Sequence, residues 1–359
     1  MKVFILAGQS NMDGQAEART IDFLGEDKDP ARAALLKTFK PDGKTLVMRD
    51  DVWITSGGGF GLGEYEKFSV YGNLCPGHGG RASRKPDCYS RLGSKIGPEY
   101  AFGYYMGEAL DQQILLIKYG PGGQSLGVNF RPPSAGIPVG AKLEDVGGQY
   151  RLLVGYVRDT LDNLKKHWPT YDEKAGYEIV GFVWFQGYND KGNKEYAKEL
   201  ACLINDLRKE FKAPDMKAVI GVIGVNGVKN EIGTMKDLRD AQRSINTMPE
   251  FKGNAKAIES APLLHPDIVA IKTAGWLNMD RDLKKNPITS EEDAMLKRAT
   301  SNFGFHYFGE GRFFILLGKA FADTMLDLLG METKVVVPRL NTFAPPIVQS
   351  NPGKPVEKK

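Results

Sequence analysis

The stretch VFILAGQSNM at residues 3–12 decides the fold class of this chain. Five apolar residues open it, and Val3 and Ile5 among them are β-branched. The run then gives way to Gly8 and Ser10, which predicts a buried strand that ends in a tight strand-to-helix turn. In open α/β folds, the groups just beyond the carboxyl ends of the strands line the ligand crevice. We therefore expect Ser10 to lie in such a crevice.

The same pattern of short apolar runs and long helix-periodic stretches continues along the chain. Five strands are predicted, at residues 3–7, 114–119, 179–185, 218–224 and 268–273. Helices are predicted from Pro98 to Leu110, over two apolar stripes at 153–164 and 196–211, near 235–247 and over 313–328. Strands that alternate with helices predict a three-layer α/β/α sandwich around a central five-stranded parallel sheet.

Much of the remaining length lies in two Gly-rich insertions, at about 20–97 and 120–145. We expect both insertions to form loops over the site rather than a second domain. The first insertion carries aromatic residues that favour a small satellite core over a sugar-stacking surface: Trp53, Phe60, Tyr65 and Tyr71. Five prolines follow Met331, and they predict a tail over 332–359. The domain is therefore expected to span 1–331.

Composition excludes several classes of protein. The 48 basic and 44 acidic residues give a net charge of +4 without a basic stripe, which argues against nucleic acid as a partner. No apolar run reaches the roughly 18 residues that a membrane-spanning helix needs. The chain begins directly at its first strand, and we expect a secreted or periplasmic protein whose signal is absent here, with the cytoplasm as the alternative. The oligomeric state stays open.

Cysteines and isolated histidines do not form a metal-binding pattern. Cys75, Cys88 and Cys202 lack the spacing of a zinc site, and a disulfide between Cys75 and Cys88 stays an open alternative to free thiols. Three scattered histidines are predicted to lie on the surface: His78, His167 and His265. The sequence therefore predicts neither a metal nor a cofactor.

Residues suited to acyl transfer follow three of the predicted strands. Ser10 follows the first, Gly122 and Gly123 the second and Gln186 the third, while His306 precedes the last helix. A serine on a tight turn is a nucleophile once a histidine accepts its proton. The backbone N–H groups of Ser10 and of the glycine pair, with the amide of Gln186, could hold the oxyanion.

The segments after these three strands and His306, in this order, resemble the SGNH-hydrolase superfamily, and three blocks carry the resemblance. They are FILAGQSNM at 4–12, KYGPGGQSL at 118–126 and VWFQG at 183–187. Within the superfamily, they resemble the carbohydrate-esterase branch of sialate O-acetylesterases and acetylxylan esterases over most of residues 3–329. The resemblance implies an SGNH fold related to flavodoxin, Ser10 as nucleophile, His306 as general base and no cofactor. It also implies an oxyanion hole formed by one of the two glycines and Gln186.

Two positions depart from the pattern of that branch. Relatives often carry Asp-x-x-His before the base, but Phe303 stands three residues before His306. The third block commonly contains a glutamate where this chain has Tyr188, although Asp190 remains. A carboxylate would fix the tautomer of the imidazole. We favour Asp190 in that role, and the alternatives are no carboxylate at all, or Glu310 or another acid.

These observations together predict an esterase of acetylated carbohydrates that acts through an acetyl-enzyme on Ser10. Preference for acetyl groups and for sugars follows from the resemblance alone. The alternatives are a broad esterase or lipase of small esters, a non-catalytic carbohydrate-binding relative and a hydrolase of another bond. Neither the sugar nor its acetylated position follows from the sequence.

Overall fold

A seven-stranded sheet lies at the centre of the fold. The computed structural model describes residues 1–58, 62–80, 94–273 and 287–331. The strands are β1 (Lys2–Gly8), β2 (Ala16–Glu17), β3 (Arg49–Gly57), β4 (Ser69–Leu74), β5 (Lys95–Ile96), β6 (Ile114–Tyr119), β7 (Glu178–Phe185), β8 (Lys217–Val222) and β9 (Ala255–Glu259). The order in the large sheet is β4-β3-β6-β1-β7-β8-β9, and β2 pairs with β5 separately.

Strand β1 occupies the middle of this sheet and pairs in parallel with both β6 and β7. Its apolar run is fully buried, as expected for a strand covered on both faces. The chain passes from β6 to β7 across β1, so the loops after these three strands meet at one edge. This is the topological switch point at which open α/β folds bind ligands.

Helices cover both faces of the sheet. They are α1 (Ser10–Asp13), α2 (Pro30–Phe39), α3 (Pro98–Ala109), α4 (Gly148–Asp162), α5 (Leu164–His167), α6 (Tyr196–Glu210), α7 (Gly233–Arg243), α8 (Pro266–Thr273), α9 (Ser290–Ala299) and α10 (Gly311–Leu328). Trp184 of β7 donates to Tyr196 of α6, while its neighbour Phe185 packs on Phe321 of α10. Successive strand residues face opposite sides, so α6 and α10 lie on opposite faces. The predicted three-layer α/β class is confirmed.

The predicted five-stranded parallel sheet is wrong in detail, because the sheet has seven strands, β4 runs antiparallel, and residues 268–273 belong to a helix. Ile268 and Ile271 are buried three residues apart, whereas Val269 is more exposed, which is helical periodicity. The true neighbour of β8 is the edge strand β9, whose sequence AKAIE mixes alanine with charges. Such a short polar strand has low β-propensity and gives little signal.

The first insertion contains helix α2 and three strands, β3, β4 and β5, rather than loops alone. Strand β3 pairs in parallel with β6, and β4 runs antiparallel to β3 at the sheet edge. Trp53, Tyr65 and Tyr71 are buried there, but they pack into the main hydrophobic core rather than into the predicted satellite core, while Phe60 lies outside the described residues. Residues 120–145 contain only short 3-10 turns.

Two further predictions concern segments that the structure leaves undescribed. The tail 332–359 and Cys88 both lie there, whereas Cys75 is a buried free thiol. In the described part of the chain, no helix combines the length and the apolar character needed to cross a membrane.

Candidate active site

Ser10 begins the short helix α1 immediately after the central strand. The turn passes so close to β7 that a Cβ atom on Gly8 would lie 2.1 Å from the carbonyl oxygen of Phe185. Only a glycine fits at position 8, because any side chain there would collide with the backbone of β7. Gln9 fastens the turn: its amide donates to Asn189 Oδ1 at 3.1 Å and accepts from the Gly187 N–H at 3.2 Å. These contacts hold the Ser10 backbone above the carboxyl edge of the sheet.

A cleft of about 670 Å³ opens over this edge. Such a volume lies in the range typical of small-molecule sites and far exceeds that of an acetyl group. Most residues that line it come from the segments after β1, β6 and β7 and before α10, and Lys95 comes from β5. The lining consists of Gln9, Ser10, Asp13, Gln15, Lys95, Gly122, Gly123, Tyr188, Asn189, Phe305 and His306. The structure thus brings four of the predicted site residues into one cleft: Ser10, Gly122, Gly123 and His306.

The loop that carries His306 is held in an uncommon conformation. It forms the 3-10 segment Gly304–Gly309, in which Tyr307 and Phe308 both have positive φ, of 53° and 59°. Non-glycine residues adopt this region only when their surroundings impose it, and such residues cluster at functional sites. Here the ring of Tyr307 is fully buried, and Asn11 Nδ2 donates to the Phe305 carbonyl at 3.1 Å. The loop is therefore anchored on both sides of His306.

The imidazole of His306 is oriented by an amide. His306 Nδ1 lies 2.9 Å from Asn302 Oδ1. Because an amide oxygen only accepts, Nδ1 carries the hydrogen and Nε2 keeps the lone pair that a general base needs. Burial, together with the nearby positive charge of Lys95, lowers the pKa of His306 to about 4. The ring is therefore neutral at neutral pH. The structure holds no hydrogen bond between Ser10 and His306, although both line the cleft.

Several N–H donors in the cleft are unused. Within the described residues, no acceptor takes the backbone N–H of Ser10, Gly122 or Gly123. Close packing positions the glycine pair, because a Cβ atom on Gly120 would lie 2.5 Å from the Asp13 nitrogen of α1. The amide of Asn189 accepts from Gln9 through Oδ1, and its Nδ2 has no acceptor in the described structure. These groups together could stabilise a negative oxygen beside Ser10.

Gln186 does not line the cleft, contrary to the prediction. The residue is buried, and its Nε2 donates to the Gln124 carbonyl at 2.9 Å and to Asp190 Oδ2 at 2.6 Å. Its Oε1 accepts from the Tyr196 hydroxyl at 3.0 Å. Both amide hydrogens are occupied, so this geometry does not support Gln186 as an oxyanion donor. Gln186 instead fixes the segment that carries the glycine pair.

Asp190 is likewise not brought to His306. Its buried carboxylate accepts from the backbone N–H groups of Leu126 and Gly127 at 2.7 and 2.9 Å. It also accepts from the side-chain amides of Gln186 and Asn193. Four such bonds saturate the carboxylate and clamp the loop after β6, so the structure corrects the predicted orienting role.

Glu310, the other named acid, does not contact the imidazole either. It is fully buried, pairs with Arg312 and accepts from the His265 N–H at 3.3 Å. Burial raises its pKa to about 7. No carboxylate is hydrogen-bonded to His306 among the residues that the structure describes.

Sequence reasoning missed Asn302 and Asn189. Asn302 lies four residues before His306, one position away from the expected acid, and only the folded loop brings its amide to the ring. Asn189 stands next to Asp190, and its polar side chain beyond a strand end was a signal that could have been used.

One comparison with known proteins assigns the chain to a carbohydrate esterase family. Residues 82–281 match the family model described as carbohydrate esterase, sialic acid-specific acetylesterase. The matched segment includes the glycine pair and Asn189 but neither Ser10 nor His306. No curated protein sequence matches the chain.

Three solved structures are similar to the chain at low sequence identity. A protein from Arabidopsis thaliana has 16% identity and a TM-score of 0.48, over 91% of this chain and 98% of its own. NanS has 14% identity and a TM-score of 0.46, over 92% and 97%. A carbohydrate acetylesterase from Xanthomonas citri has 14% identity and a TM-score of 0.42, over 74% and 50%.

Proposed function

Since this chain belongs to the carbohydrate esterase family of sialic acid-specific acetylesterases, we propose that it is a serine esterase that removes O-acetyl groups from a carbohydrate. The observation that carries the proposal is the cleft itself. It joins a serine on a tight turn, an oriented neutral imidazole and several unused N–H donors. Acyl transfer requires these three elements together.

In the proposed reaction, Ser10 Oγ attacks the acetyl carbonyl carbon while His306 Nε2 accepts the hydroxyl proton. The tetrahedral intermediate collapses to an acetyl-enzyme, and His306 returns the proton to the departing sugar oxygen. Water then attacks the acetyl-enzyme with the same imidazole as base, which releases acetate and restores Ser10. The lowered pKa of His306 keeps the base unprotonated at neutral pH.

The developing oxyanion would be stabilised by the N–H groups of Ser10 and of Gly122 or Gly123, with Asn189 Nδ2 as side-chain donor. Asn189 is favoured over Gln186 because Asn189 lines the cleft and its Nδ2 hydrogens have no acceptor in the described structure. Asn302 acts in this proposal as a positioning residue, since it holds the tautomer in which Nε2 can accept a proton.

Release of acetate from peracetylated glucose by the purified full chain tests the proposal. We expect turnover that falls steeply when butyryl esters replace acetyl esters, and labelling by a serine-directed phosphonate on the peptide that contains Ser10. Turnover that increases with chain length would identify a broad esterase or lipase instead. Absence of turnover with every ester, together with binding of the sugar, would identify a non-catalytic relative.

A further inference from the structure

Two aromatic side chains beside His306 are exposed where most aromatic residues of this protein are buried. Phe303 is 59% exposed and Phe305 37%, and in the described part of the chain no other phenylalanine is exposed. Their rings stack with centroids 5.4 Å apart and planes 8° from parallel, and Tyr188 lies 6.3 Å beyond Phe305. We define Phe303, Phe305 and Tyr188 as the aromatic wall. Contiguous exposed apolar surface at a cleft is typical of a binding site.

The aromatic wall adjoins the catalytic imidazole. The rings of Phe305 and His306 are in edge-to-face contact with centroids 4.4 Å apart, and both Phe305 and Tyr188 line the cleft. His306 must return its proton to the departing oxygen, so the alcohol part of the ester lies on the His306 side of Ser10. The glycine pair and Asn189 would hold the carbonyl oxygen. The wall therefore borders the space for the alcohol rather than for the acyl group.

The wall is also preformed. Asn302 Oδ1 accepts from the Phe303 N–H at 2.6 Å and contacts His306 Nδ1, so one amide oxygen fixes both the first residue of the wall and the base. The backbone of Phe305 is held by Asn11. A rigid apolar surface binds a flat partner with little loss of conformational entropy.

We propose that the aromatic wall is a subsite for a second sugar ring, which makes the substrate an acetylated oligosaccharide or polysaccharide rather than a free monosaccharide. This inference rests on the proposed esterase function and deepens it. The ring that carries the acetyl group fills the cleft next to Ser10, and the neighbouring ring packs its apolar C–H face against the stack formed by Phe305 and Phe303. The amide of Asn302 orients His306, which leaves position 303 available for recognition.

The test compares peracetylated glucose with peracetylated cellobiose as substrates. The variant Phe303→Ala removes the most exposed ring without disturbing buried packing. We expect it to lower kcat/KM for the disaccharide relative to the monosaccharide by about tenfold, chiefly through KM. Activity on peracetylated glucose should stay within about twofold of wild type. Phe303→Trp should keep the preference for the disaccharide.

Tyr177→Ala is the matched control, because Tyr177 is an exposed aromatic residue that lines a separate groove at the amino end of β7. It should leave both substrates unaffected. Equal loss on both substrates in Phe303→Ala, or an unchanged ratio, would overturn the subsite. A selective loss on butyryl or octanoyl esters would assign the wall to the acyl group instead and would also overturn it. If the wild-type protein released no acetate from either sugar, the proposed esterase function would fail. Equal turnover of both sugars by the wild-type protein would instead contradict only the subsite.

Discussion

Among the described residues, two serine–histidine pairs lie near the carboxyl edge of the sheet, and they differ in hydrogen bonding, in burial and in access to the cleft. Ser56, on β3, lies 2.9 Å from His78 Nδ1, and both residues are buried. Ser10 and His306 are not hydrogen-bonded to each other, yet both line the cleft. The hydrogen bond alone would favour Ser56 and His78, whereas the proposed catalytic pair is Ser10 and His306.

The surroundings of the two pairs explain the difference. His78 Nε2 is buried without a hydrogen-bond partner in the described structure, and burial lowers the pKa of His78 to about 3. The His78 carbonyl also accepts from Lys118, so this pair is part of the packing. The prediction that His78 lies on the surface is wrong, as it is for His265, because both are buried. A catalytic pair needs an approach for substrate and donors for the oxyanion, and these are found only around Ser10 among the residues described.

The largest expected effect is the difference in kcat/KM between alanine variants of the two serines. Ser10→Ala should lower kcat/KM for acetate release by about 10⁴-fold or more and leave the free energy of unfolding nearly unchanged. Ser56→Ala should keep kcat/KM within about twofold. It should lower the free energy of unfolding by about 1–3 kcal/mol, because His78 Nδ1 loses its buried partner. Acetate release and urea unfolding of both variants check this; an inactive but stable Ser56→Ala protein would reverse the assignment.

The next largest effect is a difference in kcat between variants of Asn189 and Gln186, the two side-chain amides that follow β7. Asn189→Ala should lower kcat by about 10²-fold with little change in KM, because one oxyanion donor is lost. Gln186→Ala should lower the free energy of unfolding by about 2 kcal/mol, because the Gln124 carbonyl and Asp190 lose a donor. Its kcat should fall less than that of Asn189→Ala. Steady-state kinetics and urea unfolding of both proteins decide the order, and the reverse order of kcat would restore Gln186 as the donor.

The sequence predicts those parts of the fold whose signal is local. Strands β1, β6, β7 and β8 are apolar runs, and helix α6 has a clear stripe, so all were predicted within a few residues. The edge strand β9 was missed because tertiary pairing, not propensity, holds it in the sheet.

For the site, the sequence predicts residues that stand at the ends of strands. Ser10 follows β1 and the glycine pair follows β6. Because the two strands are parallel, the residues after them lie at the same edge of the sheet. The partner of His306 depends instead on the two left-handed residues after it, Tyr307 and Phe308. These conformations are imposed by surrounding packing and have no signature in the local sequence, so Asn302 could not be chosen over Asp190.

Asp190→Asn tests whether Asp190 holds the loop after β6 in place or acts as a catalytic acid. An amide offers one acceptor oxygen where the carboxylate accepts four hydrogen bonds, so some donors of the 126–127 segment would be left unpaired. We expect the free energy of unfolding to fall by about 2 kcal/mol and kcat/KM by up to about tenfold. The pH dependence of kcat/KM should not move, because Asp190 does not contact His306. A loss of several orders of magnitude with unchanged stability would instead support the triad.

The smallest effect tests the amide that orients His306. In the wild-type protein, kcat/KM should rise with pH through an ionisation near 4, because the unprotonated ring is the active form and its pKa is lowered to about that value. Asn302→Asp places a carboxylate beside Nδ1, which favours the imidazolium and raises the pKa of His306. The rise in kcat/KM should therefore shift to higher pH by about one to two units, while the plateau rate stays within about fivefold of wild type.

Asn302→Leu is the control for that shift, because it removes the acceptor without adding charge. Its plateau rate should fall, since the imidazole tautomer is no longer fixed, and the ionisation should not move upward. Profiles of kcat/KM from pH 3.5 to 8 for the three proteins make the comparison, provided circular dichroism shows each to be folded throughout. If the aspartate variant kept the wild-type profile, His306 would not be the ionising base, and the contact with Asn302 would be structural, like that between Ser56 and His78.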